Sequence, residues 1–176
     1  LMQSISTIGN ATFIAYDDDV PVLSTDPWFG DEDHAYFGSW TLSHEIPKKY
    51  KNDVLNSDYL WFSHGHPDHL NPLSLKRFEG KNLLLPDHVG ARIYQDLAKK
   101  DFNIKILPDR EWVNLTKKIK VLCITTIMQD AILLMDIGGK LFINLNDAGT
   151  RGCSGFMKKE AQKYKDVYLL SLSGYG

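Results

Sequence analysis

The sequence holds only two cysteines, Cys123 and Cys153, and neither falls in a CxxC or zinc-knuckle spacing. That argues against a disulfide framework and a thiolate metal site, so a reducing compartment, the cytoplasm, is the expectation. Long apolar runs are missing as well. No stretch is long enough to span a bilayer, and no charged leader precedes an apolar segment, so no membrane partner is expected. Charge of one sign is not in excess: 20 Lys and Arg stand against 22 Asp and Glu, which leaves no footprint for nucleic acid. The lysines come as scattered pairs (Lys48-Lys49, Lys99-Lys100, Lys117-Lys118, Lys158-Lys159), the pattern of a solvated surface. No repeat, low-complexity tract or phosphate loop is present. Histidine, finally, is absent after His88.

What is there suffices for a folded unit. A chain of 176 residues with 43% hydrophobic content can bury a core without disulfides, as a single domain over 1–176. The chain opens on Leu1 rather than Met and stops at Gly176 directly after a strand-like run. A piece of a longer protein, incomplete at the C-terminal end, is therefore expected. Cys123 lies in an apolar run and reads as a buried thiol. Cys153 sits in the Gly-rich loop Gly149 to Gly155 and reads as more exposed.

Strand candidates are short and numerous. Ala11 to Tyr16 and Val20 to Thr25 flank the acidic turn Asp17-Asp18-Asp19, which predicts a hairpin. Residues 58–63 and 82–86 are continuous apolar runs, as strands buried on both faces would be. Asp87 then reads as the N-cap of a helix from about His88 to Lys99. Further strands are expected at 103–107, 111–115, 118–126, 130–137 and 140–145, the last pair joined by the two-residue turn Gly138-Gly139. A helix from about Ser154 to Tyr164 leads into a last strand, 166–172. Strands interleaved with helices predict a layered α/β or α+β architecture.

The decisive stretch is His64-Gly65-His66-Pro67-Asp68-His69. Three imidazoles and a carboxylate fall within six residues, directly after the buried run that ends at Ser63. A strand end followed by a turn with Gly and Pro lets neighbouring side chains converge. Imidazole and carboxylate are ligands that zinc, iron and manganese accept, with Zn²⁺ the leading expectation and Fe or Mn the alternatives. His34 and His44 lie in an aromatic-rich stretch with Trp28, Phe29, Tyr36, Phe37 and Trp40. That stretch reads either as one wall of a substrate cleft or as a loop packed onto the body. His88 reads as a surface residue.

His-x-His-x-Asp-His after a hydrophobic strand resembles the hallmark of the metallo-β-lactamase superfamily. Gly9-Asn10-Ala11-Thr12-Phe13 and Thr25-Asp26-Pro27-Trp28 look like the opening of its lactonase-like and phospholipase-D-like branches. Phe142-Ile143-Asn144-Leu145-Asn146-Asp147 is similar to the strand that ends in an aspartate bridging two metals. The stretch from Asp26 through Trp40 to His69 looks most like the lactamase-like part of CMP-sialic-acid hydroxylases. The resemblance implies an αββα sandwich with the metals at one edge. It implies His64 and His66 on a first metal, Asp68 and His69 on a second, and Asp147 between them. Asp147 also fits a plain Asx-turn. Asp26 would support the metal loop, or only initiate a turn before Pro27.

Two family features are missing: the histidine expected between the cluster and the bridging aspartate, and a final histidine beyond the last strand. Thr125 to Asp130 stands in place of the first. Asp130 is the best substitute donor there, but it begins a strand, and its side chain is expected to face away from the cluster. The leading functional expectation is a hydrolase acting on an ester, phosphodiester, lactone or amide of a small molecule, with Asp68 as the catalytic group that orients the water and takes its proton. The alternatives are an iron-dependent oxygenase and a degenerate metal-binding module without catalysis. Nothing in the sequence points to an oligomeric state.

Overall fold

The apolar runs become two β-sheets whose faces are both covered. The computed structural model describes residues 2–30, 34–65, 69–88, 92–127 and 130–170. In the first sheet β1 (Gln3–Gly9), β2 (Thr12–Asp17), β3 (Val20–Thr25), β4 (Tyr59–Trp61), β5 (Asn82–Pro86) and β6 (Asn103–Leu107) lie side by side in chain order. The second sheet has the order β11-β10-β9-β8-β7, from β7 (Trp112–Asn114), β8 (Ile119–Thr125), β9 (Ala131–Ile137), β10 (Lys140–Asn144) and β11 (Val167–Leu170). Helices α1 (Lys48–Leu55), α2 (Pro72–Leu75) and α3 (Arg92–Leu97) fall between strands of the first sheet, and α4 (Ser154–Ala161) between β10 and β11.

Successive strand residues point to opposite faces, and here both faces meet apolar partners. Leu60, Phe62, Leu83 and Leu85 pack outward on Val54 of α1, Leu75 of α2, Phe78 and Leu97 of α3. Between them in sequence, Trp61 and Leu84 turn inward and meet Val121, Cys123, Leu133 and Met135 of the second sheet. On that sheet's far face Leu122, Ile124, Ile132 and Leu134 pack on Cys153 and Met157 at α4. The result is the four-layer αββα sandwich. A strand covered on both sides cannot alternate with polar residues, which is why 58–63 and 82–86 read as unbroken apolar runs.

Both hairpins form as expected. Asp18 and Asp19 have φ of 51° and 64°, and Gly138 and Gly139 of 61° and 83°. Left-handed backbone at both central positions matches the right-handed twist of the flanking strands. Three elements are absent from the sequence reading: β1, α1 and the short α2. Residues 3–9 and 48–55 are polar, half-buried edge segments with little apolar contrast. The helix expected from His88 is described only from Arg92, and residues 89–91 lie outside the described part. Cys153 is a correction: it is buried, not exposed, because its loop folds under α4, and burial pushes its thiol pKa up. Among the described residues no helix is long and apolar enough to cross a membrane.

Topology sets up the site. Strands β3, β4, β5 and β6 are parallel, so their C-terminal ends share one edge. In open parallel sheets that edge is where ligands bind.

At α4, Lys163 Nζ donates to Glu160 Oε1 at 2.8 Å and the Trp112 indole N–H to Oε2 at 3.1 Å. The Lys163 hydrogen bond, ahead of the other causes, holds the Glu160 carboxyl below its usual value. A depressed carboxyl contributes stability above its unfolded pKa of about 4.3, and loses that contribution as pH falls through the folded value. Glu160→Gln should therefore cost about 1 kcal/mol at pH 7, solvent screening keeping it small, and less at a pH acid enough to protonate the carboxyl in the folded protein. Urea unfolding at the two pH values checks this; an equal cost at both would exclude the charge as the cause.

Candidate metal centre

Each sheet contributes residues to one cluster at this edge. Asp26 follows β3, Ser63 and His64 follow β4, and His69 precedes α2. Asp130 precedes β9 and Asp147 follows β10. Asp26 is fully buried and has φ of 38°. Its backbone is pinned from both sides: its N–H donates to Trp61 O at 2.6 Å, and Thr12 Oγ1 donates to its carbonyl at 2.8 Å.

The Asp26 carboxylate organises the loop after β4. Oδ1 accepts the Ser63 backbone N–H at 2.7 Å, and Oδ2 accepts the Ser63 hydroxyl at 2.7 Å. Oδ2 also lies 3.0 Å from His69 Nδ1. With the Ser63 proton spent on Asp26, the Ser63 oxygen is an acceptor for His64 Nδ1, 2.8 Å away. Both Nδ1 atoms thus face oxygen partners, and both Nε2 atoms face Asp147.

Those Nε2 atoms converge. His69 Nε2 lies 3.2 Å and His64 Nε2 3.7 Å from Asp147 Oδ2, and the ring centroids are 4.1 Å apart. His64, His69 and Asp147 each offer a ligand atom, all within 4.8 Å of one another. Atoms bound at about 2.0–2.1 Å to one tetrahedral ion lie roughly 3.3 Å apart. Two imidazoles, one carboxylate and supported Nδ1 atoms therefore fit a divalent transition metal by chemistry and by spacing.

Of the sequence-derived ligands, the structure brings together His64, His69 and Asp147. His66 and Asp68 lie outside the described residues. Asp147 lies in a turn in which the Ala148 N–H donates to Leu145 O at 2.9 Å, and its Oδ2 faces the imidazoles. Asn144 Oδ1 accepts the Asn146 N–H at 3.2 Å, and Asn146 takes φ of 48°. The expectation for Asp130 is overturned. Its carboxylate faces the cluster, with Oδ1 3.1 Å from His64 Nδ1, because the residue lies one position outside the β9 ladder. His88 is half-buried rather than on the surface, its Nε2 3.3 Å from Ser63 O.

The aromatic stretch divides. Trp28 and Phe29 are core residues, Phe29 edge-on to Phe78. Tyr36 and Trp40 stack at 5.3 Å on the surface side. Asn71, which caps α2 through Leu73 N and Ser74 N, also reaches His34 O at 3.5 Å and ties this loop to the segment that carries His69.

No protein-family model matches the chain. By sequence it is similar to the cytidine monophosphate-N-acetylneuraminic acid hydroxylase of Asterias rubens, 28% identical over 140 residues, which cover 72% of this chain and 20% of that protein. The chain thus spans about a fifth of the length of the curated relatives it matches. By structure it is similar to Igni18, a metallo hydrolase of Ignicoccus hospitalis, with a TM-score of 0.63, 18% identity and coverage of 90% of this chain and 66% of that one. CmlA, a diiron β-hydroxylase of Streptomyces venezuelae, gives 0.64 at 15% identity over 90% of this chain and 32% of that one. YhfI of Bacillus subtilis, a metallo-β-lactamase fold protein, gives 0.54 at 11% identity over 99% and 98%. The chain has the metallo-β-lactamase fold.

Truncating Asp26 should be severe. Asp26→Ala leaves the Ser63 N–H, the Ser63 O–H and the His69 Nδ1–H without their shared acceptor inside the protein. A loss of roughly 3 kcal/mol or more is expected, at 1–3 kcal/mol per stranded buried group. Denaturant unfolding measures it, and a loss under about 1 kcal/mol would contradict this account of the loop.

Proposed function

We propose that the protein is a metal-dependent hydrolase that acts on an ester, phosphodiester, lactone or amide bond of a small molecule. The observation that carries this reading is the convergence of the His64 and His69 Nε2 atoms on Asp147, each imidazole held at Nδ1 by its own support. Zn²⁺ is the proposed ion, with Fe or Mn as alternatives. A divalent ion held by these residues would supply Lewis acidity, making a water nucleophilic at about pH 7 and polarising the scissile bond. His64 and His69 would present imidazole nitrogen ligands, and Asp147 would supply negative charge that offsets the ion's. Asp26 and Ser63 keep the two rings from turning. Asp68, outside the described residues, is proposed to accept the proton of the attacking water, and His66 to complete the ligand set. The likeness to a metallo hydrolase supports this reading.

A second reading, an iron-dependent oxygenase, is favoured by the donor set itself. Two imidazoles and one carboxylate are what non-haem iron oxygenases use. The similarity to a hydroxylase by sequence and to a diiron hydroxylase by fold points the same way.

Protein purified without chelator should carry zinc, iron or manganese, and His64→Ala with His66→Ala should lose most of it while staying folded. Full metal content in the double variant would sink the assignment. Hydrolysis of generic ester, phosphodiester and lactone substrates by the zinc form under anaerobic conditions is expected. Turnover only in the iron form, with oxygen and a reductant consumed, would decide for the second reading.

A further inference from the structure

The Asp26 carboxylate is fully used: two protons from Ser63 and one from His69 occupy both oxygens. It has no contact left for His64, although His64 is the other imidazole that faces Asp147. Ser63 Oγ can accept from His64 Nδ1, but a hydroxyl brings no charge. Asp130 supplies it. Its Oδ1 lies 3.1 Å from His64 Nδ1, and the same oxygen accepts the Ala131 N–H at 2.7 Å, which fixes the carboxylate's orientation. Both groups are shielded, His64 at 5% and Asp130 at 8% exposure, so little water competes for the contact.

We infer that Asp130 is a positioning residue for His64. It holds the imidazole in the Nδ1–H tautomer, with the Nε2 lone pair directed at the Asp147 side, as Asp26 does for His69. The two carboxylates come from opposite sheets, Asp26 from the end of β3 and Asp130 from the start of β9, and they grip the two rings from behind. The inference bears on the proposed metal site as follows. The chain has no histidine after His88 to add an imidazole from the second sheet. A carboxylate hydrogen-bonded to a ligating imidazole raises its basicity, and loss of such a partner typically weakens metal binding 10–100-fold. Asp130 thus strengthens an existing ligand instead of adding one.

The inference deepens the proposed function, but half of its test needs no metal. In ¹⁵N-labelled metal-free protein, long-range ¹H–¹⁵N spectra should show both His64 and His69 as Nδ1–H tautomers. Asp130→Ala should move His64 toward the Nε2–H tautomer or a mixture and leave His69 unchanged. Asp130→Asn, whose amide oxygen can still accept, should keep the His64 tautomer. Calorimetric titration with Zn²⁺ should show a 10–100-fold weaker Kd for Asp130→Ala and a smaller loss for Asp130→Asn. Unchanged His64 spectra in a folded Asp130→Ala protein would overturn the proposal. So would Asp130→Asn losing Zn²⁺ as completely as Asp130→Ala with the His64 tautomer intact, since Asp130 would then be a ligand itself. If the parent binds no Zn²⁺, the proposed function fails, while the tautomer result still decides the role of Asp130.

Discussion

The edge of this sandwich depends on one buried carboxylate accepting three protons. Asp26 sits in left-handed backbone, clamped by Thr12 and Trp61, and its two oxygens take the Ser63 N–H, the Ser63 O–H and the His69 ring N–H. An uncompensated buried carboxylate is costly, so this network must be complete or the loop cannot pack. From its completion follow the Ser63 rotamer and the orientation of the His69 ring, with Nε2 turned toward Asp147. The active groups are thus set by hydrogen bonds made behind them, before any ligand arrives.

His64 and His69, which the structure brings together, were legible because their signal is local. Three histidines and an aspartate within six residues need no knowledge of tertiary structure. The Gly138-Gly139 turn and the doubly apolar strands are equally local, and they carry the layered fold. Asp147 was legible only through its likeness to a strand-end aspartate, since its own neighbours spell a turn equally well. In the structure the residue sits in a turn and its carboxylate also faces the imidazoles.

What the sequence hid is what depends on distance along the chain. Asp26 and Ser63 are 37 residues apart, and Asp130 and His64 further still. For Asp130 the strand rule pointed the wrong way. Alternation assigns a side chain to a face only inside the ladder, and Asp130 precedes the first paired residue, Ala131. A residue that enters a strand is free to turn toward whatever lies beyond the sheet. For Trp28 and Phe29 the sequence left two readings, a cleft wall or a loop packed onto the body, and their burial selects packing.

The cluster draws His64 and His69 from loops of one sheet and Asp147 and Asp130 from the ends of the other. Between those sheets lies the apolar layer of Trp61, Leu84, Val121 and Leu133, with Thr116 Oγ1 donating to Asp17 Oδ2 at its margin. Any ion that grips the imidazoles and Asp147 together is therefore a rivet through both sheets. Its occupancy and the resistance of the sandwich to shear at this edge become linked by mass action, each favouring the other. The apolar layer governs how strongly the sheets adhere, and the polar edge governs their alignment.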